Sequence, residues 1–81
     1  MSPPHALMEW EAVVGANIRR LRKAKGLTQE QLAHEAGVAM RYVAGVERGE
    51  ENPSLKFLVK MAEALETEPA ALLTRDMLGE P

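Results

Sequence analysis

Leu7, Trp10, Val14, Ile18 and Leu21 follow one another at steps of three and four residues, the spacing that puts side chains on one face of a helix. This predicts a helix from about Ala6 to Lys25, with Glu9, Asn17, Arg20 and Lys23 on its outer side. Gly26 ends it, and the basic residues of its last turn complement the helix dipole. A second helix opens at Thr28, an N-cap residue with Gln31 three positions on, as a capping box requires. Leu32, Ala33 and Ala36 form its inward face, Gly37 ends it, and Val38 pins the turn inward. Val43 and Val46 share a face of a third helix, which begins near Ala39 or Met40 and closes at Gly49. Asn52-Pro53-Ser54 is a turn whose serine caps a fourth helix, from about Leu55 to Leu65. Its expected inward stripe is Leu55, Leu58, Val59, Ala62 and Leu65, with Phe57 and Met61 alongside. Pro69 suits the first position of a fifth helix, which carries Ala70, Leu72, Leu73, Met77 and Leu78. The expectation is an all-α, compact five-helix domain over 6–78, with an arm at 1–5 and a short tail at 79–81.

Composition sets limits on this picture. Eighty-one residues suit one small domain, and 46% hydrophobic residues are enough to give it a core. There is no cysteine, so disulfides and thiolate metal sites are excluded. No apolar run approaches a membrane span and no signal peptide is visible, so a soluble cytoplasmic protein is expected. The net charge is −2, but the charges are segregated. Arg19, Arg20, Arg22, Lys23 and Lys25 cluster early, whereas Glu63, Glu66, Glu68, Asp76 and Glu80 load the last third. A basic end beside an acidic one is compatible with an anionic partner on one face, bound less tightly and with more salt sensitivity than by a uniformly basic domain.

Two short helices joined by a glycine turn, from Thr28 to Gly49, describe a helix-turn-helix, in which the second helix enters the DNA major groove. The segment resembles the phage-repressor-like helix-turn-helix family, the Cro/CI or XRE-type group. The resemblance is carried by IRRLRKAKGLTQEQLA from Ile18 to Ala33, AGV from Ala36 to Val38, ERG from Glu47 to Gly49 and NPSL from Asn52 to Leu55. It extends loosely to about Leu73.

The resemblance implies several residue roles. Arg22 and Glu47 would form an ion pair tying the first helix to the end of the third. Gln29 would bind a phosphate at a helix N-terminus. Ala39, Met40, Arg41, Ala44 and Gly45 would face the groove. This set departs from the family's pattern of Ser, Gln, Asn and Arg. Among its members Arg41 alone can pair bidentately with guanine, whereas Met40 and Ala44 are suited to a thymine methyl. Tyr42 would either reach a phosphate or complete the core edge. Glu50 and Glu51 stand where basic residues are common, leaving Arg48, Asn52 and Lys56 as backbone contacts. Leu72, Leu73, Met77 and Leu78 would form a two-fold dimer interface, unless they only close the core. Trp10 is expected in core or dimer packing rather than as a ligand platform.

The implied function is a homodimeric regulator of transcription that binds double-stranded DNA. No phosphate loop, zinc-ligand spacing or nucleophile elbow points to an enzyme, a metal or a cofactor, and His5 and His34 have no partner ligands. The competing reading is a protein-interaction module that keeps the fold but binds DNA weakly or not at all. It is motivated by the acidic balance, Glu50–Glu51 and a nearly apolar third-helix face.

Overall fold

The computed structural model describes residues 9–75. They form four α-helices, α1 (Trp10–Ala24), α2 (Gln29–Ala36), α3 (Met40–Glu47) and α4 (Leu55–Ala64), then a single 3-10 turn, Pro69–Leu73. No strand occurs among the described residues. The helix expected from Ala6 starts at Trp10, because Glu9 is extended (ψ 147°) and serves as the N-cap. Within the described residues, the expected fifth helix is a five-residue 3-10 turn. Proline opens it, but Thr74 is already extended (ψ 134°), so no α-helical ladder develops. The expected arm, the tail, Leu7, Met77 and Leu78 lie outside the described residues.

Local chemistry accounts for the helix ends. The Gln31 amide donates to Thr28 Oγ1 (3.0 Å), and the Thr28 amide donates to Gln31 Oε1 (2.8 Å), closing the capping box of α2. Gly37 takes φ 72° at the α2 C-cap, which turns the chain sharply into α3. Ser54 Oγ accepts from the Phe57 amide (3.0 Å) at the start of α4. The end of α4 is less comfortable. Glu66 sits at φ 58°, a left-handed conformation that suits glycine and costs other residues about 1–2 kcal/mol. Its side chain accepts from Lys25 Nζ at 2.8 Å, an exposed bond that offsets part of that strain.

The core joins all the elements. Val13, Val14 and Ile18 of α1 are buried, as are Leu32 and Ala33 of α2, Val43 and Val46 of α3, and Phe57, Leu58, Met61 and Ala62 of α4. α1 packs on α3 and on the 3-10 turn, and α2 bridges α3 and α4. α1 and α3 cross at Gly15. A Cβ there would overlap the Val46 carbonyl oxygen and lie 2.8 Å from that of Glu47, so nothing larger than glycine fits.

The structure corrects the placements expected for Asn17, Leu72, Leu55 and Val59. Asn17, expected on the outer side of α1, is fully buried. Its Nδ2 donates to the carbonyls of Leu72 (3.0 Å) and Thr74 (2.9 Å), fastening the C-terminal segment to α1. A buried amide is tolerated because it satisfies two carbonyls that no helix ladder serves. Leu72, expected at a dimer interface, is instead fully buried in its own core. Leu55 and Val59, expected inward, are 73% and 36% exposed, because α4 is rotated to bury Phe57 and Met61. Trp10, expected in core or dimer packing, is half-exposed in the subunit, with the Arg75 guanidinium 4.1 Å from the centre of its ring, a cation–π contact.

Replacing Glu66 by glycine should raise the melting temperature by a few degrees at neutral pH, since relief of the left-handed strain exceeds the loss of one exposed ion pair. The hydrogen bond from Lys25, then its charge, holds the Glu66 carboxyl below its ordinary value. The pair therefore contributes above the unfolded carboxylate pKa and is lost as pH falls through the folded one. The advantage of E66G should grow on acidification, which paired thermal melts at neutral and acidic pH would measure.

Candidate nucleic-acid interface

The site is built around α3, an eight-residue helix. Alone, a helix this short is marginal in water, so its orientation depends on what grips it. Val43 and Val46 point into the core. Its far end is gripped by charge. Arg22 Nε donates to Glu47 Oε2 at 2.7 Å, and Arg22 Nη2 donates to Oε1 at 3.0 Å. This bidentate pair has side chains only 10% and 3% exposed. Arg22 Nη1 also donates to the Leu27 carbonyl at 2.8 Å, which brings in the α1–α2 loop. Gln29 Nε2 donates to Glu47 Oε1 at 3.0 Å, which brings in the first turn of α2. The guanidinium is thereby made more basic than usual, chiefly by the hydrogen bond to Glu47, which outweighs the opposing effect of burial, with a smaller contribution from the Glu47 charge.

With its root held, α3 presents its opposite side outward. Ala39, Met40, Arg41, Tyr42, Gly45 and Arg48 line one open cleft together with Glu51. Met40 and Arg41 are exposed at the start of the helix. The Tyr42 ring meets Phe57 edge-on, with centroids 4.9 Å apart and planes at 87°, so it is anchored to the core while also lining the cleft. Ala44 is half-buried, beside this cleft rather than in its lining.

The remaining expected contacts are placed differently. Gln29, implied to hold a phosphate, has its amide engaged on Glu47, whose carboxylate has acceptor capacity beyond what Arg22 uses. Arg48 Nη2 lies 3.1 Å from Glu50 Oε1, and both side chains are more than half exposed. That hydrogen bond, more than charge, makes Arg48 more basic than usual. Asn52 lies away from α3, lining a separate depression with Trp10, Glu11, Pro53, Leu58 and Leu73. Lys56 is exposed in the first turn of α4. Glu51 also belongs to the cleft, although its charge is unsuited to phosphate. Its position depends on the path of the loop after α3, for which the sequence carries no periodic signal. Among the described residues no cluster of acidic or histidine side chains is arranged to hold a metal ion, and no helix is long and apolar enough to cross a membrane.

A helix-turn-helix family model, HTH_3, matches residues 18–72. The chain belongs to this XRE-type, repressor-like helix-turn-helix family. The match takes in α2 and α3, the Arg22–Glu47 pair and the 3-10 turn up to Leu72. The chain is similar to the control protein C.SmaI of Serratia marcescens, 39% identical over 71 residues, which span 88% of this chain and 84% of that one. The solved structure of the restriction-modification controller protein C.AhdI from Aeromonas hydrophila superposes with a TM-score of 0.75 at 48% identity, over 76% of this chain and 94% of that one. SinR, a master regulator for biofilm formation solved in complex with DNA, superposes with a TM-score of 0.73 at 39% identity, over 75% of this chain and 98% of that one. The family is one of DNA-binding transcription regulators, not enzymes.

Substituting Glu47 by alanine should destabilise the helix-turn-helix fold by about 3 kcal/mol, because it leaves a buried guanidinium without its counter-charge. Arg22 keeps its bond to the Leu27 carbonyl, which holds the loss near the low end for a broken buried pair. In urea denaturation the midpoint should fall with the slope unchanged.

Proposed function

We infer that the chain is a sequence-specific DNA-binding regulator of transcription that acts in the cytoplasm as a homodimer, with α3 in the major groove of each half-site. The observation that carries this reading is the orientation of α3. Its inner face is locked by Val43, Val46 and Glu47, while Ala39, Met40, Arg41 and Arg48 are exposed on its outer side, with Gly45 buried between them. A helix that crosses the backbone, a sharp glycine turn and a second helix free to enter a groove are the parts that such docking needs. The relative solved with DNA, SinR, shares this fold.

Within the groove, Arg41 is the side chain suited to a guanine, through paired bonds to O6 and N7. Met40 and the half-buried Ala44 are suited to a thymine methyl. Arg48 and Lys56 reach towards phosphate, and Arg48 must leave Glu50 to do so. Affinity should therefore fall with salt through counterion release at these phosphate contacts.

The homodimer follows from apolar surface left uncovered. Leu55 and Val59 are one turn apart on α4 and exposed, and Leu73 of the 3-10 turn is 43% exposed. Soluble monomers seldom display such a patch without a use for it. An isologous contact here would relate two α3 helices by a two-fold axis, with half-sites about one DNA turn apart.

The test is selection of bound sequences from a random duplex library, beside a solution mass measurement. A palindromic consensus and a mass twice that of the chain are expected. In the same assay Arg41→Ala should weaken specific binding by about 1–3 kcal/mol and relax the preference at one base position. Failure to retain any duplex even at low salt would refute the reading and favour a protein partner instead.

A further inference from the structure

Gly45 is out of place in the interior of α3, where glycine is less favourable than alanine. Its backbone does not ask for it, since it is not among the residues with positive φ. The reason lies in a neighbour. A Cβ built on Gly45 would meet Glu51 Cγ at 3.0 Å and Glu51 Oε2 at 3.3 Å. The Glu51 side chain, coming from the loop after α3, therefore lies across the helix where a side chain at position 45 would stand. It shares the cleft with Arg41, Tyr42 and Arg48. The cation nearest along the chain, Arg48, is bonded to Glu50 instead, although it also feels the charge of Glu51.

We propose that Glu51 is a specificity-determining residue, whose carboxylate accepts a hydrogen bond from the N4 amine of a cytosine, and that Gly45 is small to seat it. The proposal rests on the DNA-binding reading above. An ionised carboxylate only accepts hydrogen bonds. Phosphates repel it, and so do guanine N7 and O6 and thymine O4. Adenine offers its N6 amine beside an acceptor, N7. Cytosine N4 is the major-groove donor without that conflict. Arg41 and Glu51 then form a complementary pair on one surface, one suited to guanine and the other to cytosine.

Duplex selection with the full chain and with Glu51→Gln, Glu51→Ala and Gly45→Ala tests this. The unsubstituted chain should select a C·G pair at one position of each half-site. Glu51→Gln should move that position towards A·T, which glutamine reads bidentately. Glu51→Ala should lower the preference there by about fivefold to tenfold, the scale of one lost base contact. Gly45→Ala, whose methyl pushes the Glu51 side chain aside by a few tenths of an ångström, should weaken the preference at the same position. If Glu51→Gln and Glu51→Ala keep every base preference and bind all sequences uniformly tighter, Glu51 merely repels phosphate and the proposal is overturned while DNA binding stands. If the unsubstituted chain retains no duplex, the DNA-binding reading fails and takes this proposal with it.

Discussion

The bidentate bond between Arg22 and Glu47 is the constraint from which the rest of the domain takes its geometry. Four segments meet at it: the last turn of α1, the loop carbonyl of Leu27, the first turn of α2 through Gln29, and the end of α3. None of these could hold α3 alone. An eight-residue helix has too few internal bonds to persist by itself, and its two buried valines fix its inward face without fixing its angle. Charges that have left water must be paired in one geometry, because a shift of one ångström leaves a guanidinium unserved. The pair thus sets direction where hydrophobic burial supplies adhesion. Gly15 acts on the same joint, letting the backbones of α1 and α3 come close enough for the two side chains to meet.

The domain's charge looks different once these contacts are counted. A net charge of −2 is an unpromising total for a partner made of phosphates. Yet Glu47 is buried against Arg22, and Glu66 is bonded to Lys25 at the far end of the fold. Glu50 is the acid that holds a candidate phosphate-binding side chain, Arg48. An acidic loop beside a reading helix lowers indiscriminate attraction, so that a greater share of binding comes from base contacts. Under the proposed function, such a domain favours discrimination over tight nonspecific attachment.

Helical spacing and capping residues made most of the fold legible. Thr28 with Gln31, Gly37 and Ser54 each mark an end that the structure places at the expected residue. The misreadings have a common cause. Polarity and spacing point Asn17 outward and Leu55 and Val59 inward, and the family resemblance points Leu72 to a dimer contact, yet each sits where tertiary partners decide. Asn17 is drawn inward by two carbonyls that lack helical partners, and Leu72 is held there with it. Leu55 and Val59 turn outward because Phe57 and Met61 fill the core better. At the site, spacing could point to α3 but not to the loop that folds back over it, so the seat that Gly45 provides for Glu51 emerged only in three dimensions.

If one bonded pair sets the angle of α3, its two members should be strongly coupled. A double-mutant cycle of Arg22→Leu and Glu47→Leu, followed by urea denaturation, measures this directly. Each single change should be costly, whereas the double variant should recover most of the loss, with a coupling energy of about 2 kcal/mol or more, because two leucines leave no buried charge behind. Losses that simply add, with coupling within about 0.5 kcal/mol of zero, would contradict the account.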